Sequence, residues 1–131
     1  MNWENLSTDD LDSAVWKEKI EQRYRFRARI VKDKDEMDRI VVDEYIMPRF
    51  IFDLSRDRDF IMMAATGNTP QGIWARLVEV LNSNKALLEG FRRIAYISQL
   101  DERLNIPMDS IHSFSNYILT RLIDPIGLDE N

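Results

Sequence analysis

The sequence predicts an all-α protein, a compact bundle of about six helices that ends in a helix-turn-helix-like pair. Three observations lead there. Nearly every apolar segment follows a helix start signal, few apolar runs alternate with period two, and the chain holds only four glycines. At 131 residues it is expected to form one helical domain, with residues 1–7 and 125–131 as frayed termini. A hydrophobic content of 44% and a charged content of 31% are those of a globular chain.

The first helix is expected from Thr8, a good N-cap, to about Val31, with Asp9, Asp10 and Asp12 in its first turn. Trp16, Ile20, Tyr24, Ala28 and Val31 repeat at three- and four-residue steps and form one stripe. Arg23 and Arg27 flank it on one side, Arg25 and Arg29 on the other, while Phe26 and Ile30 point away. A strand is the rival reading of Tyr24–Val31, because Tyr24, Phe26, Ala28 and Ile30 alternate with arginine; the flanking spacing favours helix. Lys32–Glu36 reads as a charged turn. A second helix carries Met37, Ile40, Val41 and Tyr45 and is stopped by Pro48; residues 49–54 are densely apolar and expected to be buried.

Arg56–Asp59 opens a short third helix carrying Phe60, Ile61 and Met63, and Thr66-Gly67-Asn68 is a loop. Thr69-Pro70 starts a fourth helix bearing Ile73, Trp74, Leu77, Val78 and Leu81. Ser83-Asn84 breaks it. Leu87, Leu88, Phe91, Ile94, Ala95 and Ile97 lead a fifth helix toward Leu100 and Leu104. Asn105-Ile106-Pro107 then makes the turn, with Asn105 suited to a left-handed helix end. Asp109 or Ser110 caps a sixth helix holding Ile111, Phe114, Ile118 and Leu122, which Asp124-Pro125 stops.

Composition excludes several classes of function. With no cysteine there is no disulfide framework, thiolate catalysis or Cys-based zinc site. No apolar run nears the roughly 18 residues of a membrane span, and the acidic residues 1–15 show no signal peptide, so a cytoplasmic location is expected. Asp33, Asp35, Glu36 and Asp38 lack the order of a calcium loop, and no glycine-rich phosphate loop offers a nucleotide site. No cofactor or metal is therefore expected. Catalysis is weakly supported: the single histidine, His112, diverges from its neighbour Ser113 on a helix, Ser115 has no orienting carboxylate, and Asp101, Glu102 and Asp109 read as solvated helix-end charges.

Binding surfaces remain. If the turn motif reads DNA, Ser110, His112, Ser113 and Asn116 face the bases. Between Ala95 and Ile123, however, Arg103 and Arg121 stand against Asp101, Glu102 and Asp109, a balance unsuited to phosphate contact. The net charge of −5 likewise disfavours general nucleic-acid coating. Arg23, Arg25, Phe26, Arg27, Arg29 and Ile30 form the better candidate, an arginine-rimmed apolar face for a protein partner, either a larger assembly or another copy.

Trp16-Lys17-Glu18-Lys19, Met63-Ala64-Ala65 with Gly72–Glu79, and the Asn105–Leu119 segment touch about a third of the chain. In these stretches it resembles the small, ATPase-less clamp-loader subunit of tailed phages. The chain departs from that family at Asn68–Gln71, which is uncharged where the family tends to carry a basic cluster. The resemblance implies a helical subunit that docks on an AAA+ ATPase in a replication machine. The resulting expectation is a non-enzymatic accessory subunit on nucleic-acid-handling machinery. A helix-turn-helix DNA-binding transcription regulator is the alternative.

Overall fold

The computed structural model describes residues 29–128. By its contacts the chain divides into two units, Met1–Met37 and Asp38–Asn131. Most of the expected first helix, with Arg23, Arg25, Phe26 and Arg27 of the partner face, lies outside the described residues. Arg29 and Ile30 are described, and with Val31 they are not helical.

In the first unit the charged stretch turns out to be a cap. Glu36 N donates to Asp33 Oδ1 at 2.9 Å, and Lys32 N donates to Glu36 Oε2 at 2.7 Å. The first bond satisfies an amide that the helix start leaves open, and the second ties the residue before the cap to the first turn. Helix α1 (Lys34–Ile40) begins there. It runs on through a π-helical stretch, Val41–Ile46, into α2 (Met47–Leu54), with helical backbone angles at both joints.

Pro48 therefore does not stop the helix. It sits in the first turn of α2, directly after the π-helical stretch. A proline removes one N–H and crowds the carbonyl four residues back; the wider π turn accommodates that local break. The same arrangement recurs near the C-terminus. Helix α5 (Phe114–Ile118) passes into a π-helical stretch, Leu119–Ile123, and then α6 (Asp124–Ile126) holds Pro125 in its first turn.

The fold class is mixed α/β, which corrects the all-α expectation. Phe60–Ala64 is a strand, β1, where a third helix was expected. Ala95–Gln99 is a second strand, β2, where the fifth helix was expected to continue. The two pair in parallel, Phe60 with Ala95, Met62 with Ile97 and Ala64 with Gln99. Five-residue apolar runs satisfy helical and strand spacing equally well, so the partner strand decides. Between the strands run α3 (Gln71–Ser83) and α4 (Lys85–Ile94), the crossover that a parallel pair requires. The break at Asn84 stands as expected, and its carbonyl oxygen Oδ1 accepts from the N–H groups of Ala86 and Leu87.

One face of the sheet enters the core. Phe60 meets Phe50 of α2 and Phe91 of α4, with ring centroids 5.8 Å apart in both pairs, and Phe50 and Phe91 lie 5.2 Å apart. Such tilted and edge-on contacts suit the ring quadrupoles. Trp74, Leu77, Leu81, Ile118, Leu122 and Ile126 belong to the same buried cluster. Within residues 49–54 only Phe50 and Asp53 are buried, while Ile51 and Phe52 are exposed and Arg56 stacks 3.8 Å from the Phe52 ring centroid.

Ile126, in the tail expected to fray, is fully buried. The chain end is held by Arg92 Nε donating to Ile126 O at 2.7 Å and by a left-handed Gly127 with a φ of 57°. Leu128 N reaches back to Ile123 O at 3.2 Å, the backbone closure of a Schellman end.

Also corrected is the helix-turn-helix. Residues 100–113 contain no helix, and α5 starts at Phe114, capped by Ser113 and not by Asp109 or Ser110. Asn105 does adopt the left-handed conformation, with a φ of 59°, but in an isolated turn. The first helix of the supposed pair is a strand followed by a loop.

Because Phe91 is fully buried where three elements meet through their phenyl rings, Phe91→Ala is expected to destabilise the protein by about 3–5 kcal/mol. The shift of the urea unfolding midpoint measures it.

Candidate functional site

Parallel strands deliver the segments that follow them to the same end of the sheet, where open α/β folds place their ligands. After β1 come Ala65, Thr66, Gly67, Asn68, Thr69 and Pro70, and then α3. After β2 come Leu100, Asp101 and Glu102. The two segments are tied at their base, since Leu100 N donates to Ala64 O at 3.0 Å.

Side chains from two helices hold the first segment by its carbonyls. Trp74 Nε1 donates to Ala65 O at 3.0 Å, and the Tyr117 hydroxyl donates to Gly67 O at 2.6 Å. Gly67 has a φ of 104°, which an L side chain rarely adopts. Among the described residues, the N–H groups of Thr66 to Thr69 find no acceptor. The first-turn amides of α3 continue this row, and its Pro70 cap has no side-chain acceptor. Free amides at a helix start, on an uncharged loop, suit an anion.

The second segment is anchored by Glu102. Its carboxylate accepts from Arg103 N at 2.8 Å, Phe114 N at 2.9 Å and Ser115 N at 2.9 Å. The Ser113 hydroxyl donates to it at 2.9 Å as well. The Ser115 hydroxyl lies 2.6 Å from Gln99 Oε1 and 2.8 Å from Glu102 Oε2, and serves one of them at a time. Glu102 thus caps α5 from a distance and closes the loop of residues 103–112. The backbone amides of Phe114, Ser115 and Arg103 hold its carboxyl far below the usual carboxylate range. It stays ionised and serves poorly as an acid or base. Asp101, beside it, is exposed and makes no such bonds among the described residues.

The sequence-derived site residues scatter. Ser113 is buried, donating to Glu102 and accepting from Asn116 N. Ser110 accepts from His112 N, and both precede the helix, so Ser110, His112, Ser113 and Asn116 do not share a recognition-helix face. Arg29 is exposed and Ile30 partly buried. Thr66-Gly67-Asn68 was read from the sequence as a plain loop, and its place at a strand end escaped because the preceding strand was taken for a helix.

The chain is similar to part of a glucosamine-6-phosphate deaminase. The enzyme of one type A strain of Clostridium perfringens is 27% identical over 105 residues. Those of two further strains are 26% identical over the same length. The match covers 80% of this chain, which spans about 40% of the length of these curated relatives. No protein-family model matches, and no solved structure does. The deaminases are enzymes by name, which counts against the non-enzymatic expectation. None of these matches is a phage, replication or helix-turn-helix protein, and those associations of the sequence reading are withdrawn.

The Glu102 cap has a pH signature. Its folded-state value is depressed, so its stabilisation is complete above the unfolded glutamate value of about 4.3 and is lost as pH falls below it. Stability should therefore decline from about pH 4 downward, and Glu102→Gln should flatten that limb. Thermal melts of both proteins across the acid range provide the measurement.

Proposed function

We propose that the chain binds an amino-sugar phosphate, the class of compound named in its deaminase relatives, at the shared end of β1 and β2. The observation that carries this reading is the strand–loop–helix unit of β1, residues 65–70 and α3, whose amides from Thr66 to Thr69 find no acceptor among the described residues. A phosphate dianion would accept from those amides and gain from the helix dipole. The sugar would extend from there toward the end of β2, where Asp101 lies.

Asp101 is the group we assign to proton transfer on the bound sugar, because Glu102 is committed to capping α5. A carboxylate of ordinary exposure can take a proton from a substrate carbon or hydroxyl only if the substrate is held against it. The phosphate seat would supply that hold. The similarity supports the substrate class, while the reaction this chain takes part in is inferred from the geometry.

Titration of isotopically labelled protein with glucosamine 6-phosphate tests the reading. Amide shifts should concentrate at Thr66–Thr69 and the first turn of α3, inorganic phosphate should compete, and glucosamine should not. Asn68→Asp places a negative charge among the donors at an exposed position, and should weaken binding at least about tenfold. Its melting temperature should hardly change. Shifts elsewhere in the chain, or equal binding of glucosamine, would refute the site.

A further inference from the structure

The bonds that hold the loop after β1 also decide which way its amides face. A trans peptide is planar, and its N–H points opposite to its C=O. A donor that draws a carbonyl toward itself therefore turns the next residue's N–H away. Trp74 Nε1, on Ala65 O, acts in this way on the Thr66 N–H. The Tyr117 hydroxyl, on Gly67 O at 2.6 Å, acts in the same way on the Asn68 N–H. Both amides belong to the row that finds no acceptor among the described residues.

Of these two peptides, the one between Gly67 and Asn68 has less else to hold it. Both residues are exposed, and Gly67, with a φ of 104°, has no Cβ to restrict its own ψ. No atom stands within 4 Å of where a Cβ would lie, so packing does not fix the peptide plane. A half-turn of that plane would withdraw the Asn68 N–H and present the Gly67 carbonyl oxygen in its place. A carbonyl oxygen repels an anion.

We propose, resting on the anion seat assigned above, that Tyr117 is a positioning residue for the bound phosphate. Its hydroxyl holds the Gly67–Asn68 peptide in the orientation that offers the N–H to the anion, so the seat is set before the ligand arrives. Tyr117 belongs to α5, whose first amides are held by Glu102 beside Asp101. One short helix thus places both the peptide at the seat and the segment that carries Asp101.

Tyr117→Phe removes the hydroxyl and keeps the ring, over which the Arg121 guanidinium lies at 5.2 Å from the centroid. If the outward orientation then falls to about a tenth of the population, apparent affinity falls about tenfold. The experiment titrates the isotopically labelled full chain with inorganic phosphate and with glucosamine 6-phosphate, following amide shifts. Tyr117→Phe should bind both at least about fivefold more weakly than the wild type. In the free variant the Gly67 carbonyl carbon should move upfield, the signature of its lost hydrogen bond. Thr120→Ala serves as the control, because it removes the bond from Thr120 Oγ1 to Asn116 O at 2.8 Å and leaves the loop untouched. It should bind as the wild type does. Equal affinity of Tyr117→Phe and the wild type would overturn the inference while the seat stands. So would equal weakening by Thr120→Ala, which would reduce the hydroxyl to a support of α5. Absence of shifts at Thr66–Thr69 in the wild type would remove the seat, and the inference with it.

Discussion

The parallel pairing of Phe60–Ala64 with Ala95–Gln99 is the constraint on which the rest of the second unit depends. A parallel pair cannot be closed by a tight turn, so residues 65–94 must cross from the end of one strand to the start of the other. That crossing is α3 and α4, and it brings Phe91 back to the start of β1, against Phe60 and Phe50. The same geometry carries the loop 65–70 and Asp101 to a common end. Core and candidate site are thus two consequences of one pairing.

The helices adapt to fixed points in the sequence. Pro48 and Pro125 each fall in the first turn of an α-helical segment that follows a π-helical stretch. In both places the wider turn lets the chain keep its direction past a residue that ordinarily bends or ends a helix. Asp43 in the first of these stretches receives a paired contact from Arg76 of α3, at 3.2 Å and 2.9 Å. Glu79 adds to it at 2.9 Å, and the two carboxylates hold the Arg76 guanidinium above its usual range. A half-exposed cluster of this kind locates two helices against each other and adds little stability.

Charge is used differently at the candidate site. The loop after β1 carries none, so its polarity comes from backbone amides and the start of a helix. Of the two acids after β2, Glu102 is satisfied by the amides and hydroxyls at the start of α5. That capping fixes the chain one residue beyond Asp101. Adjacent acids of the same chemistry thereby acquire different roles, decided by which one finds a helix start within reach.

The sequence by itself determined the features that depend on near neighbours. The helix that follows Thr69-Pro70, the break at Ser83-Asn84 and the left-handed conformation of Asn105 are present where local chemistry puts them, although the cap is Pro70 and not Thr69, and Asn105 ends no helix. Each depends on contacts within a few residues, which is the range that spacing and capping signals report. The strands were illegible for the opposite reason. Phe60–Ala64 and Ala95–Gln99 are short apolar runs compatible with either period, and only pairing across 35 positions selected the extended form. With the strands went the site, because a Thr-Gly-Asn-Thr loop is unremarkable after a helix and becomes an amide-lined anion seat after a strand. The role of Glu102 was equally hidden. It looked like a solvated helix-end charge, and tertiary folding gave it the amides of a helix that starts twelve residues later.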